Sequence, residues 1–65
     1  MNFYIKEWPN KTATLFAENG TVLCRFLSAK EAEAVCTDWY RIQGEEVVYH
    51  LYRLGDSEPT LKYVA

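Results

Sequence analysis

Basic residues never cluster in this chain. Its seven Lys and Arg stand singly among nine Asp and Glu, for a net charge of −2 at pH 7. Affinity for a polyanion rests on grouped cations that release counterions, so nucleic acid is disfavoured as a partner. Apolar runs are equally scarce. None is longer than three residues, as in Val47-Val48-Tyr49, against the ~20 that a membrane-spanning helix needs. The opening Met1-Asn2-Phe3-Tyr4-Ile5-Lys6-Glu7 lacks the basic n-region and the apolar stretch of a secretory signal. A cytoplasmic location is therefore expected.

Two Cys and one His are too few for a four-ligand protein zinc site, so no metal is expected, and no cofactor motif stands out. In a reducing compartment Cys24 and Cys36 are free thiols, and buried thiols mostly act as small hydrophobes. The sequons Asn10-Lys11-Thr12 and Asn19-Gly20-Thr21 read as turns rather than glycan acceptors. There is no linker, low-complexity tract or internal repeat, and residues 1–65 read as one domain. At this length only about 60% of the unfolded chain's surface is buried on folding, so the core is marginal and self-association is the natural supplement.

What the chain has in quantity is aromatic surface: ten Phe, Trp and Tyr among 65 residues. One helix is clearly signalled. Ser28-Ala29-Lys30-Glu31 has the spacing of a capping box, in which the Ser hydroxyl accepts from the Glu31 amide and the Glu31 carboxylate returns to the Ser28 amide. From there Ala29, Ala32, Val35, Cys36, Trp39, Tyr40 and Ile42 form one apolar stripe, with Lys30, Glu33, Ala34, Thr37 and Arg41 opposite. Gly44 is a left-handed terminator, which gives a helix over residues 29–43 packed through Val35, Trp39 and Ile42.

Before the helix the pattern is a meander. Phe3 to Glu7 reads as a strand, turned at Pro9-Asn10. A three-residue loop there puts Phe3 and Ile5 on the core face, whereas a two-residue loop inverts them. Asn19-Gly20 signals a two-residue type I′ hairpin. That turn pairs Ala17 with Val22, Leu15 with Cys24 and Ala13 with Phe26 under the helix, and Phe16 with Leu23, Thr14 with Arg25 and Thr12 with Leu27 on the other face. After the helix, residues 45–54 and Thr60 to Val64 read as strands about a turn at residues 55–59. Val47, Tyr49 and Leu51, with Leu61 and Tyr63, are expected beneath the helix. The fold class is α+β: a mostly antiparallel five-stranded sheet in the order β-β-β-α-β-β, with one helix on one face.

One helix covers one side of a sheet. The other side is left with Tyr4, Trp8, Phe16, Leu23, Arg25, Val48, His50 and Tyr52, alongside Lys6, Thr14 and Leu27. A contiguous apolar face of this kind marks an interaction site, unless one strand's parity is inverted and some of these side chains are core. The reading that follows is a non-enzymatic interaction module, a homodimer burying this face or pairing strand edges. The alternative is a single-stranded nucleic-acid binder in which Tyr4, Trp8, Phe16 and Tyr52 stack bases and Lys6, Lys11 and Arg25 meet phosphates, against the net acidity and the lack of an RNP-like run. A third is a small-ligand pocket around Trp39, for which a chain this short offers little room. His50, with Asp38 or Glu46 nearby in sequence, lacks any accompanying nucleophile. The acidic residues Glu31, Glu33, Asp38, Glu45 and Glu46 read as a solvated face.

Overall fold

A computed structural model of the protein describes residues 1–64. The elements run β1 (Asn2–Glu7), β2 (Ala13–Ala17), β3 (Val22–Phe26), α1 (Ala29–Gln43), β4 (Val47–Tyr52) and β5 (Thr60–Val64). The sheet order is β3-β2-β1-β4-β5. Three pairings are antiparallel. The fourth, β1 with β4, is parallel, so the sheet is mixed. Helix α1 carries the chain from the edge strand β3 back to the centre of the sheet, beside β1. The connection exceeds the dozen or so residues that a parallel crossover requires.

The helix begins and ends as its sequence dictates. Ser28 is extended (φ −152°, ψ 159°) and its Oγ accepts from the Glu31 amide over 3.3 Å. The return bond differs by one residue from expectation: Glu31 Oε2 accepts from the amide of Leu27 at 3.0 Å, not from that of Ser28. Gly44 closes the helix at φ 72°, its amide donating to Tyr40 O. No Cβ-bearing residue takes that backbone without strain.

The seam against the sheet is narrower than the stripe suggested. Ala29, Ala32 and Cys36 are its buried members, with Val35 and Tyr40 beside them. Small residues let the helix axis sit close to the strands, which pushes larger side chains to the flanks. Trp39 is 36% exposed and meets Phe3 edge-on, with centroids 5.7 Å apart. Ile42, 76% exposed, takes no part in the core. Glu33, expected in solvent, lies at the sheet edge of the helix, where its Oε1 accepts from the Tyr49 hydroxyl at 2.8 Å.

Under the helix the three central strands supply Phe3 and Ile5, Ala13 and Leu15, and Val47, Tyr49 and Leu51. A helix about 10 Å across covers about this many strands at ~4.8 Å spacing. The edge strands β3 and β5 contribute no fully buried side chain.

Both hairpins are built alike, on three-residue loops. In the first, Trp8 O accepts from the Lys11 amide and Trp8 N donates to Thr12 O. In the second, Ala17 and Gly20 repeat the first bond and Ala17 and Thr21 the second. Lys11 (φ 73°) and Gly20 (φ 88°) occupy the left-handed position that closes each loop. Asn10 Oδ1 and Asn19 Oδ1 accept from the amides of Thr12 and Thr21 at 3.1 and 3.0 Å. Asn19 thus remains at negative φ and uses its side chain to bind the loop, so the type I′ turn does not form. The first loop is the version that turns Phe3 and Ile5 inward.

The extra loop residue in the second hairpin is matched by a bulge between Leu15 and Phe16. Leu15 pairs with Cys24, Thr14 with Arg25 and Ala13 with Phe26, as the sequence implied, but Phe16 pairs with Val22 rather than Leu23. Leu23, the unpaired residue, swings to the helix side. There it lines a hollow of about 200 Å³ with Trp39, Phe3 and both cysteines. The far strand also departs from expectation. Lys62 lies opposite Tyr49, while Leu61 and Tyr63 lie opposite His50 and Val48. That register puts Leu61 and Tyr63 on the face away from the helix, and Val64 toward the core.

Candidate interface on the open sheet face

Strand parity decides which side chains reach the open face. In β1 they are Asn2, Tyr4 and Lys6, followed by Trp8. Cross-strand register then joins them into rows. The central row crosses all five strands: Val22 opposite Phe16, Phe16 opposite Tyr4, Tyr4 opposite His50, and His50 opposite Leu61. Toward one strand end lie Arg25, Thr14, Lys6 and Tyr52. Toward the other lie Asn2, Val48 and Tyr63.

Within these rows the rings are ordered against one another. The His50 imidazole stacks on Tyr4, with centroids 4.8 Å apart and planes within 18°. Tyr52 tilts against Tyr4 at 6.4 Å. Trp8 folds down from the end of β1, its Nε1 donating to Thr14 Oγ1 at 2.8 Å, and the Lys6 ammonium sits 4.6 Å above its ring. That bond satisfies Thr14, which is buried on a face with no helix because Trp8 roofs it. These contacts restrict Tyr4, His50, Tyr52 and Trp8, so a partner meeting them costs less side-chain entropy than free rings would.

The face is not flat. A concavity of about 600 Å³ opens between Trp8, Phe16, Val22, Arg25 and Leu27, and a second of about 290 Å³ lies across Phe16 between Tyr4, Lys6 and Tyr52. Large apolar side chains on this side stand well out of contact, with Leu27 79% and Tyr63 72% exposed. Charge is segregated along the strands. Lys6 and Arg25 flank Thr14 at one end; Glu18 lies at the other, accepting at 3.2 Å from the Asn2 side chain.

Of the interface residues read from the sequence, the structure gathers Tyr4, Trp8, Phe16, Arg25, Val48, His50 and Tyr52 on this one face. Leu23 is the exception, removed by the bulge. Val22, Leu61 and Tyr63 are members that the sequence assigned to the helix side. Their positions follow from a bulge and from the register across the long β4–β5 turn, neither of which local composition signals.

The helix side offers less. Cys24 is exposed and Cys36 buried, both as free thiols. Burial, and secondarily the charge of Glu33, pushes the Cys36 thiol up to about 12, so it is protonated and unreactive at neutral pH. Burial likewise raises the Tyr49 hydroxyl, reinforced by its bond to Glu33. The hollow beside Trp39 is smaller than the ~300 Å³ typical of ligand pockets. No group of three or more potential metal ligands occurs among the described residues, and no helix among them is long and apolar enough to cross a membrane. Comparison with protein families, with curated proteins and with solved structures finds no match to this chain.

Proposed function

We propose that this chain is a non-enzymatic, cytoplasmic protein-interaction module that self-associates through the sheet face opposite its helix. The observation that carries this reading is the continuous row from Val22 through Phe16, Tyr4 and His50 to Leu61, exposed at its two ends and half-buried at its centre with no element over it. A domain this small has little stability to spare. Leaving that row in water forgoes stabilisation of roughly 25 cal/mol per Å², which a second surface recovers. Aromatic side chains concentrate binding energy at interface centres, and here they are already ordered.

The test is solution mass by sedimentation equilibrium from micromolar to millimolar concentration. A reversible monomer–dimer equilibrium is expected, with the melting temperature falling on dilution because dimer stability is tied to protomer concentration. A monomeric mass throughout, together with salt-sensitive binding of single-stranded RNA or DNA, would overturn the proposal in favour of base stacking on Tyr4, Trp8, Phe16 and Tyr52.

A further inference from the structure

The uncovered face has a built-in direction. Phe16 is the member of the central row on β2; Thr14 lies two residues toward one strand end, ~7 Å away, and Glu18 opens the turn at the other end, one residue past the strand. Thr14 is flanked in register by Lys6 on β1 and Arg25 on β3. Glu18 reaches over the opposite end of β1 to Asn2, and Glu45 and Glu46 precede β4 at that same end. Among the side chains of the face itself, the cations Lys6 and Arg25 lie at one end and the Glu18 carboxylate at the other, with the apolar row between them; the Met1 ammonium, donating to Glu46 O at 2.9 Å, lies beside the Glu18 end.

We propose that the occupant of this face is a second copy of the chain, packed face to face about a two-fold axis that lies along the Val22-to-Leu61 row. This rests on the self-association reading above and fixes its geometry. Rotation about that axis keeps each strand over its own copy and exchanges the strand ends. Positions on either side of Phe16 therefore exchange, and the Glu18 end of one protomer comes over the end of the other where Thr14 lies between Lys6 and Arg25. The contact occurs twice by symmetry. An axis parallel to the strands instead sets Lys6 over Lys6 and leaves both glutamates without a cation, which like-charge repulsion disfavours.

The size of the face makes these charges decisive. Five strands of five or six residues present roughly 20 by 17 Å, well below the ~800 Å² per partner of a standard stable interface. Association through the apolar row alone is weak, and two cross-protomer charge clusters at its margins both strengthen it and set its register.

The test uses three variants of the full chain, measured by sedimentation equilibrium at low and high salt: Lys6→Glu, Glu18→Lys, and the double variant. Each single reversal is expected to weaken dimerisation about tenfold, and the double variant to lose no more than Lys6→Glu alone, because the pair between positions 6 and 18 is re-formed with opposite polarity while Arg25 keeps its sign. Arg25→Glu should weaken it like Lys6→Glu, which guards against an effect peculiar to the Trp8 contact. If wild type dimerises while both singles match it, or the double variant loses the sum of the singles, this orientation is wrong and the association reading stands. A wild-type chain that stays monomeric to millimolar concentration overturns both.

Discussion

His50 lies flat against Tyr4 at the centre of the sheet, two rings from adjacent parallel strands with centroids 4.8 Å apart. Neither ring belongs to the core beneath the helix. Their stack, worth about 0.5–1.5 kcal/mol, organises a surface rather than an interior. This separates the two jobs of the sheet: its helix side holds the fold, and its open side is free to be specialised.

The separation predicts that Phe16→Asp abolishes dimerisation while sparing the monomer. Phe16 is half-buried and faces away from the helix, so its loss removes little of the core. A carboxylate there would be desolvated without a partner when two faces meet. Sedimentation should report a monomer, and a denaturation curve at micromolar concentration should move by no more than about 1 kcal/mol. Arg41→Asp, on the outer helix surface, should leave the mass unchanged.

The core assignments give a ranking opposite to that of side-chain size. Ile5 is fully buried between β2 and β4, whereas Trp39 sits at the rim with one edge contact to Phe3. Ile5→Ala should cost about 3–4 kcal/mol, enough to unfold much of the population of a domain this small. Trp39→Ala should cost about 2–3 kcal/mol, because about a third of the residue is already in water. Urea midpoints in the reverse order would contradict this packing.

The elements themselves were legible because each rests on local chemistry: the Ser28 cap, the Gly44 terminator, the β-branched and aromatic strands. The faces of β2 and β4 were legible too, since alternation in a strand has a fixed period, whereas that of β1 hung on the length of the loop at Pro9-Asn10. What failed was register. Asn19-Gly20 satisfies a two-residue turn and a three-residue loop equally well in sequence. Only the bulge that swings Leu23 toward the helix reconciles the loop found here with the Leu15–Cys24 pairing. Leu61 and Tyr63 were misplaced because a one-residue slip across the β4–β5 turn exchanges every side chain between faces. The Glu33–Tyr49 bond was hidden for a different reason: a charged residue beside an apolar stripe looks the same whether it faces water or a buried hydroxyl.

The twin hairpin loops predict a stabilising substitution. Lys11 holds φ 73° where the second loop has Gly20. A left-handed backbone costs a residue with a Cβ about 1–2 kcal/mol, offset in part by the greater freedom of glycine in the unfolded chain. Lys11→Gly should therefore raise stability by about 0.5–1 kcal/mol. Gly20→Ala should lower it by a similar or larger amount, although nothing lies within 4 Å of the added methyl group, because the penalty is conformational. Thermal melts of the two variants at equal concentration should move in opposite directions.

The last prediction concerns alkaline pH. Cys36 is fully buried, and its thiol is raised from about 9.0 to about 12 by that burial, with the charge of Glu33 adding to it. Tyr49, beneath the helix, is raised in the same direction by burial and by its hydrogen bond to the Glu33 carboxylate. Both groups keep their protons in the folded state after the unfolded chain has released them. Above pH 9 the native state therefore binds more protons than the unfolded state, and stability declines as pH rises. The contribution of Cys36 is intact below pH 9 and is lost between 9 and about 12; that of Tyr49 is lost from about pH 10 upward. The slope is bounded at about 1.4 kcal/mol per pH unit for each group. Urea denaturation should give a flat profile through pH 8, a decline beginning near 9, and a steeper one beyond 10. Cys36→Ala should delay the onset to about pH 10 whatever its effect on stability at neutral pH. Parallel profiles for wild type and Cys36→Ala would show that this thiol is not held in the dry seam between helix and sheet, and the packing of α1 through Ala29, Ala32 and Cys36 would have to be redrawn.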